Sequence, residues 1–290
     1  MLQLKGKPVA ESIYQRIKLK LNDLKLNDLK LNDIPTKPNL AVILVGEDPA
    51  SQVYVSHKQK ACEALGFKST FVKLSEKTSS AELEQKINEL NSDASVHAIL
   101  LQLPLPSHLD SKKMSDLISA SKDADCLTAT SLGLLMAGRQ VVSSCTPSGI
   151  IEILKYYELS VAKKNVLVIG RSLIVGLPLF HLLTQEDATV TVAHSKTENL
   201  KELIKNFDFV FVAAGKPHFL QATDFKKGAV VIDVGIHRTA SGLIGDVNPQ
   251  GGADHLKALT PVPGGVGPMT IAMLMQNTYK LTQASVAGLL

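Results

Sequence analysis

Short runs of β-branched and aliphatic residues alternate along the chain with longer segments in which apolar residues recur at helical spacing. In the first half, the runs 39–46 and 68–74 predict strands, and the segments 48–66 and 79–91 predict helices. A third strand is expected within 96–106, which ends in a proline-rich segment. Because parallel strands need long crossover connections, this order predicts a parallel sheet covered by helices on both faces.

A second series of the same kind begins near residue 146. It comprises a helix and four short apolar strands, "TPSGIIEILKYYEL", "NVLVIG", "ATVTVAHS", "FDFVFVAAG" and "GAVVIDVG". The alternation of strands and helices is typical of the α/β class. We therefore predict an α/β protein of two domains: residues 1–145, joined by a C-terminal helix at 268–290, and a Rossmann-like domain at 146–267.

Composition narrows the possible partners. The chain has 290 residues, 45% of them hydrophobic, and a net charge of +4 with lysines scattered along it, so we expect no nucleic-acid partner. Cys62, Cys126 and Cys145 form no C-x-x-C pair, which predicts neither a metal site nor a disulfide framework. Without an 18-residue apolar run or a signal peptide, we expect a cytoplasmic protein with no membrane partner.

One segment is internally repeated. Residues 20–33 read "KLNDLKLNDLKLND", a five-residue unit in tandem. Five helical residues turn by about 500°, so successive leucines point in different directions and make no single apolar face. We interpret the repeat as a duplication that lengthens the end of the first helix and the loop after it.

A candidate nucleotide-binding turn lies at 166–183, "VLVIGRSLIVGLPLFHLL", where a buried strand runs through a short loop into a helix. Gly170 and Gly176 bracket the loop, but Ser172 occupies the position where the dinucleotide fingerprint G-x-G-x-x-G has its second glycine. The free amides of a helix N-terminus favour a phosphate here. A tight strand-to-helix turn without a ligand explains the same pattern equally well.

The end of the following strand bears on the choice of nucleotide. Proteins that bind NAD usually carry an acidic residue there to hold the ribose 2′-hydroxyl. This chain has His194–Thr197 instead, with Ser195 and Lys196 in it and Arg171 on the neighbouring loop. Hydroxyl and cationic groups suit a 2′-phosphate, so the pattern favours NADP over NAD. A solvated polar loop is the structural alternative.

Candidate catalytic residues lie in the first half of the chain. Tyr54 and Lys58 are four residues apart and share one helix face. Gln102 lies within the apolar run "AILLQLPLP", where a buried amide needs a hydrogen-bond partner. Asp125 lies in "KDADC", and the glycine- and proline-rich segment 260–270 permits close backbone approach. A surface pair, a core hydrogen bond, a solvated loop and a rigid connector are the structural alternatives for these four features.

Together these motifs resemble the bifunctional methylenetetrahydrofolate dehydrogenase/methenyltetrahydrofolate cyclohydrolase family over nearly the whole chain. The resemblance is carried, in order, by "VGEDPASQVYVSHKQKACEALG", "LLQLPLP", "KDAD", "CTPSGI", "VIGRSLIVGLP", "HSKT", "VIDVGI" and "TPVPGGVGPMT". It implies two α/β domains flanking a cleft and a homodimer. It also implies that the protein oxidises 5,10-methylenetetrahydrofolate to 5,10-methenyltetrahydrofolate with NADP, then hydrolyses the product to 10-formyltetrahydrofolate for one-carbon metabolism.

The resemblance implies roles for individual residues. Lys58 would be the central catalytic residue, with Gln102 hydrogen-bonded to it. Tyr54 would stack on the folate, and Asp125 would anchor the pterin. The remaining binding residues would be Pro261, Gly264, Gly265 and Pro268 for folate, and Gly170, Arg171, Ser172, Ser195 and Ile236 for NADP.

The chain departs from the family pattern at three positions. Cys126 follows the second acid of "KDAD", where the family usually has Gly, and Ser131 replaces the Asn of a usual Asn-x-Gly. Leu177 replaces a lysine often found after the second loop glycine. Two other functions remain open: a shikimate-dehydrogenase-like NADP oxidoreductase, and a non-catalytic module that senses NADP.

Overall fold

The computed structural model describes residues 1–26, 37–240, 242–250 and 252–289. Within these residues it has thirteen strands and nine α-helices. The strands are β1 (Leu2–Gln3), β2 (Asn39–Val45), β3 (Lys68–Leu74), β4 (Ala98–Leu101), β5 (Asn165–Ile169), β6 (Thr189–Ala193), β7 (Phe209–Val212), β8 (Leu220–Gln221), β9 (Val230–Asp233), β10 (His237–Thr239), β11 (Gly242–Ile244), β12 (Val247–Asn248) and β13 (Ala258–Leu259). The helices are α1 (Gly6–Leu26), α2 (Pro49–Leu65), α3 (Ser80–Ser92), α4 (Ser111–Asp116), α5 (Ala129–Met136), α6 (Cys145–Tyr156), α7 (Gly176–Gln185), α8 (Leu200–Ile204) and α9 (Gly267–Val286).

The chain forms two compact units. One, the three-stranded unit, contains Ser12–Cys145 and Ile271–Leu290, and the other, the six-stranded unit, contains Met1–Glu11 and Thr146–Thr270. The sequence assigned residues 1–145 to one domain, whereas the first eleven residues lie in the six-stranded unit. The reason is that β1 pairs in parallel with β13. This contact joins segments far apart in the sequence, so no local pattern predicts it.

The three-stranded unit is built on a parallel sheet of order β3-β2-β4. Every residue of the central strand β2 is buried, and Ile43 and Ile99 pack with Ile87 of α3 in its core. Fully burying such a side chain contributes about 1.5–3 kcal/mol. The strand predicted at 68–74 is confirmed, whereas the run 96–106 forms strand only at Ala98–Leu101.

Helix α2 has the ends that the sequence predicted. The Asp48 side chain accepts a hydrogen bond from the Ser51 backbone N–H at 2.7 Å, and Pro49 occupies the first turn. Gly66 ends the helix in the left-handed conformation, with φ of 70°. These caps set where the helix that carries Tyr54 and Lys58 begins and ends.

The six-stranded unit has a parallel sheet of order β1-β13-β9-β7-β5-β6. The chain moves from β5 outward to β6, then crosses to β7 on the other side of β5. Such a reversal is the switch point at which open α/β sheets bind ligands, beyond the carboxyl ends of the strands. The predicted parallel Rossmann-like sheet is confirmed, and β1 and β13 extend it beyond the four strands expected.

Two further expectations concern helices. Helix α1 includes the repeat as far as Leu26, which is the last residue of the first described range. The remainder of the 20–33 repeat, and the loop expected after it, lie outside the described residues. Across the described ranges, every helix is too short or too polar to span a bilayer.

Candidate active site

A buried lysine–amide pair lies at the centre of the candidate site in the three-stranded unit. Lys58 Nζ donates a hydrogen bond to Gln102 Oε1 at 2.7 Å, and both residues are at least nine-tenths buried. Gln102 Nε2 donates to the carbonyl of Leu103 at 2.7 Å, and the Gln102 backbone N–H donates to Ile43 at 2.9 Å. Because its backbone and both ends of its amide are bonded, Gln102 presents a fixed acceptor to Lys58.

The electrostatic environment of Lys58 favours its neutral form. Burial lowers the pKa of the Lys58 ammonium, and attraction from Asp125 and Cys145 opposes that shift. Burial also raises the pKa of the Asp125 carboxyl, and here attraction from Lys58 opposes it. Removal from water thus moves both groups toward their uncharged forms. A lysine whose pKa is lowered, beside an acid whose pKa is raised, is a candidate for proton transfer in catalysis.

The loop that carries Asp125 is held by groups on both sides. The Ile99 backbone N–H donates to the carbonyl of Lys122 at 2.7 Å, which ties the loop to β4. On α9, the buried Asn277 Nδ2 donates to the carbonyls of Ala124 and Ser143, each at 2.8 Å. Asn277 thus binds the residue directly before Asp125.

The unusual residue in this loop, Cys126, is fully buried and has φ of 55°. This left-handed conformation favours glycine, which explains the glycine usual in the family, and costs a side-chain-bearing residue roughly 1 kcal/mol. Burial and the nearby Asp123 raise the pKa of the Cys126 thiol to about 12. Cys126 therefore stays protonated at neutral pH and fills space rather than acting as a nucleophile.

Replacing Asn277 with Leu should lower the free energy of unfolding by about 2–3 kcal/mol, because the buried carbonyl of Ala124 and the partly buried carbonyl of Ser143 lose their donor. Urea denaturation of wild type and variant measures this difference. Gln283→Leu is the matched control, since Gln283 lies exposed on the same helix. Equal stability of all three proteins would show that Asn277 does not hold the loop.

In the six-stranded unit, the candidate nucleotide turn begins at the end of β5. Gly170 has φ of 130°, and a Cβ there would clash with the carbonyl oxygen of Ala213, which follows β7. A Cβ on Gly176 would likewise clash with the backbone of Gly170. Both glycines are therefore required for this turn to pack against the end of β7 at the switch point.

The side chains predicted to hold the nucleotide lie at the carboxyl ends of β5, β6 and β9. Arg171 and Ser172 are exposed on the turn, and the Ser172 hydroxyl accepts from the Val175 N–H at 3.2 Å. Ser195 is exposed after β6, and Ile236 is 41% exposed after β9. These side chains are therefore available to a ligand at the edge where Rossmann-like sheets bind one.

The predicted folate residues are divided between the two units. Tyr54 is on α2, one turn before Lys58, and is 41% exposed. The loop containing Pro261, Gly264, Gly265 and Pro268 is in the six-stranded unit, where the carbonyl of Gly264 accepts from the Gly6 N–H at 2.8 Å.

Sequence reasoning missed the residues that support the site. Asn277 and Cys145 bind the Asp125 loop. In the other unit, Asp246 and His237 bond to each other beside the loops that follow β7 and β9, at the carboxyl ends of the strands, which we call the nucleotide edge. Asn277 lies 153 residues from Ala124. No spacing pattern could have connected them, although an amide inside the apolar segment "MTIAMLMQNTYKL" signals a buried polar contact.

A parallel α/β unit with a buried lysine, joined to a Rossmann-like unit, defines the class of two-domain α/β enzymes. The protein-family model of the tetrahydrofolate dehydrogenase/cyclohydrolase catalytic domain matches residues 4–125. The model of the NAD(P)-binding domain of the same family matches residues 144–286. The chain belongs to the tetrahydrofolate dehydrogenase/cyclohydrolase family.

Similar proteins cover nearly the full chain. It is 49% identical over 285 residues to a "Bifunctional protein FolD" of Campylobacter concisus, covering 98% of each. The solved bifunctional methylenetetrahydrofolate dehydrogenase/cyclohydrolase of Campylobacter jejuni is 42% identical, with TM-score 0.91 and coverage of 98% of this chain and 99% of that one. The Trypanosoma brucei enzyme, solved with NADP and an inhibitor, is 35% identical with TM-score 0.91, covering 99% and 98%.

A shikimate dehydrogenase of Aquifex aeolicus shares the fold alone. It is 14% identical, with TM-score 0.51 over 87% of this chain and 98% of that one. The likeness explains why the fold by itself leaves a shikimate-dehydrogenase-like function open, so the distinction depends on the residues of the site.

Proposed function

We propose that this protein oxidises 5,10-methylenetetrahydrofolate to 5,10-methenyltetrahydrofolate with NADP and then hydrolyses the product to 10-formyltetrahydrofolate. The observation that carries the proposal is the buried Lys58–Gln102 hydrogen bond, in a chain that belongs to the corresponding family. A pure binding module for NADP would have no need of a desolvated lysine.

In the hydrolytic step, Lys58 accepts the proton of the attacking water. A neutral amine is required, and burial lowers the pKa of Lys58 in that direction. A methenyl cation about 4 Å away would add roughly 4 kcal/mol of repulsion against an ammonium at an effective dielectric of 20, favouring the neutral amine further. Gln102 accepts one N–H of the amine and so directs its lone pair.

In the oxidative step, the chain's task is positioning. The nicotinamide of NADP, when bound, accepts the hydride from the one-carbon bridge of the folate. Tyr54 stacks on the folate, Asp125 anchors the pterin, and backbone of the loop with Pro261, Gly264, Gly265 and Pro268 completes the folate contacts. Holding the two reactants in place is the chain's contribution to this step, because the product cation needs no proton transfer to form.

NADP fits the exposed groups of the six-stranded unit. The nucleotide edge offers Gly170, Arg171, Ser172, Ser195 and Ile236, and the turn after β6 carries hydroxyl and cationic groups where NAD enzymes carry an acid. The complex of the Trypanosoma brucei relative with NADP supports the same choice.

Arg171→Ala should raise the Km for NADP about 10- to 100-fold and leave the Km for NAD nearly unchanged, because only NADP carries the 2′-phosphate that Arg171 would pair with. Initial rates with each nucleotide measure the two values. Arg139→Ala, an exposed arginine of the other unit, should change neither. An equal rise for NADP and NAD would refute a 2′-phosphate contact.

The proposal is tested by mixing the protein with methylenetetrahydrofolate and NADP, and separately with NAD. Appearance of the reduced nucleotide and methenyl absorbances, followed by decay of the methenyl signal, is the expected result. In a parallel assay with shikimate and NADP, turnover of shikimate would instead establish the alternative oxidoreductase. Nucleotide binding without turnover of either substrate would establish the sensing module.

We also propose a cytoplasmic homodimer. The homodimer is what the resemblance to the family implies, and the cytoplasmic location is the expectation from the sequence. Sedimentation velocity should give a mass near twice the 31.2 kDa of the chain.

A further inference from the structure

A buried carboxylate joins the loops at the nucleotide edge of the six-stranded unit. Asp246 is fully buried. Its Oδ2 accepts from the backbone N–H groups of Ala214 at 2.7 Å and Gly215 at 2.9 Å. Its Oδ1 accepts from the Lys216 N–H at 2.9 Å and from His237 Nε2 at 2.7 Å. One side chain therefore holds three consecutive amides after β7 and one imidazole after β9.

These loops lie where the nucleotide is proposed to bind. The loop after β7 contacts the nucleotide turn, because the Ala213 N–H donates to Ile169 at 2.8 Å and the Ala213 carbonyl leaves no room for a Cβ on Gly170. His237 directly follows Ile236, one of the proposed cofactor contacts. The Asp246 carboxylate thus joins the loop that packs against the proposed nucleotide turn to the segment that carries Ile236.

Asp246 is itself rigidly placed. Its backbone N–H donates to Asp233 Oδ1 at 3.0 Å, and Asp233 also accepts from Gly235 at 2.9 Å and Val247 at 2.9 Å. A Cβ on Gly235 would clash with the Asp246 carboxylate. Because these hydrogen bonds and the close packing at Gly235 hold Asp246 in place, we expect loss of the His237 hydrogen bond to displace the loops rather than the Asp246 carboxylate.

The amides bound by Asp246 cannot also bind phosphate. Three successive backbone N–H groups at the end of a strand form an anion-binding arrangement. Here they are bonded to a side chain of the protein, so the amides of the Gly170 turn are the proposed donors to the nucleotide phosphates. The Asp246 carboxylate therefore holds the loops in place and does not itself contact the phosphates.

We propose that His237 and Asp246 are positioning residues for NADP: their hydrogen bond holds the loop after β7 and the Ile236 segment in the arrangement that would bind the cofactor. This inference rests on the proposed NADP function. It predicts that the His237–Asp246 hydrogen bond affects the cofactor-dependent reaction and leaves the hydrolytic reaction unaffected.

The test compares His237→Leu, which lacks a donor, with His237→Gln, whose amide N–H can reach the same carboxylate oxygen. His237→Leu should raise the Kd for NADP, measured by calorimetry, roughly 10-fold, the equivalent of one charge-assisted hydrogen bond. His237→Gln should stay within about 2-fold of wild type. Hydrolysis of added methenyltetrahydrofolate without nucleotide should be equal in all three proteins.

Two outcomes would overturn the inference. Equal NADP affinity in wild type and His237→Leu would show that the hydrogen bond does not position the cofactor. A parallel loss of both activities, with a lowered melting temperature, would assign the pair to general stability. If wild type binds NADP but turns over no folate, the proposed reaction fails, while the calorimetric comparison still decides the role of His237.

Discussion

Lys58→Met is expected to lower kcat for hydrolysis of methenyltetrahydrofolate by about 10²- to 10⁴-fold, the range that general acid–base catalysis contributes. Met fills a similar volume but cannot accept a proton, and it leaves Gln102 Oε1 without the donor at 2.7 Å. The dehydrogenase reaction should fall less, because hydride transfer needs the substrate positioned but needs no base. Stopped assays of each reaction, with methylene- or methenyltetrahydrofolate as substrate, measure the two losses separately.

The matched control is Lys60→Met, which removes an exposed lysine from the same helix. It should leave both activities and the melting temperature near wild type. Full cyclohydrolase activity in Lys58→Met would exclude Lys58 as the proton acceptor. Loss of NADP affinity in that variant would instead indicate damage beyond the three-stranded unit.

Asp125→Asn should reduce kcat/KM of both reactions about 10- to 100-fold, because a hydrogen bond between a carboxylate and the pterin contributes roughly 1.5–3 kcal/mol. It should also change the pH profile of hydrolysis. Attraction to Asp125 opposes the lowering of the Lys58 pKa by burial, so removing the charge lowers that pKa further. Since the neutral amine is the active form, the rate rises with pH through this pKa, and the rising limb should move to lower pH.

The control for this prediction is Asp110→Asn, at an exposed helix cap where Asn serves as well as Asp. It should change neither kcat/KM nor the pH profile. A rising limb that stays in place in Asp125→Asn, or moves to higher pH, would contradict the proposed coupling between the two groups.

The sequence predicted most regular elements near the candidate site within a few residues. Helix α2 is the clearest case, since Asp48, Pro49 and Gly66 mark its ends through contacts within the helix and its flanks. The strands β3 and β5 likewise follow from short apolar runs. These features depend on interactions over a few residues, so they can be predicted without knowledge of the fold.

The structure shows the hydrogen bond expected between Lys58 and Gln102, whereas the catalytic role of the pair stays a prediction. The expectation of this bond came from the family resemblance, supported by the physical requirement that an amide in an apolar run have a partner. The residue was identifiable from local sequence, but its partner 44 positions away was not.

By itself, then, the sequence determined the parallel α/β class, the family, and the residue types available for catalysis and nucleotide binding, because periodicity, caps and ordered motifs are local properties. Only the tertiary structure decided that β1 joins the six-stranded sheet, that Asn277 holds the Asp125 loop, and that Asp246 ties His237 to the loop after β7. Each of these contacts joins segments that are brought together by packing of the whole unit. Burial also sets the direction of the Lys58 pKa, and burial is a property of the folded chain alone.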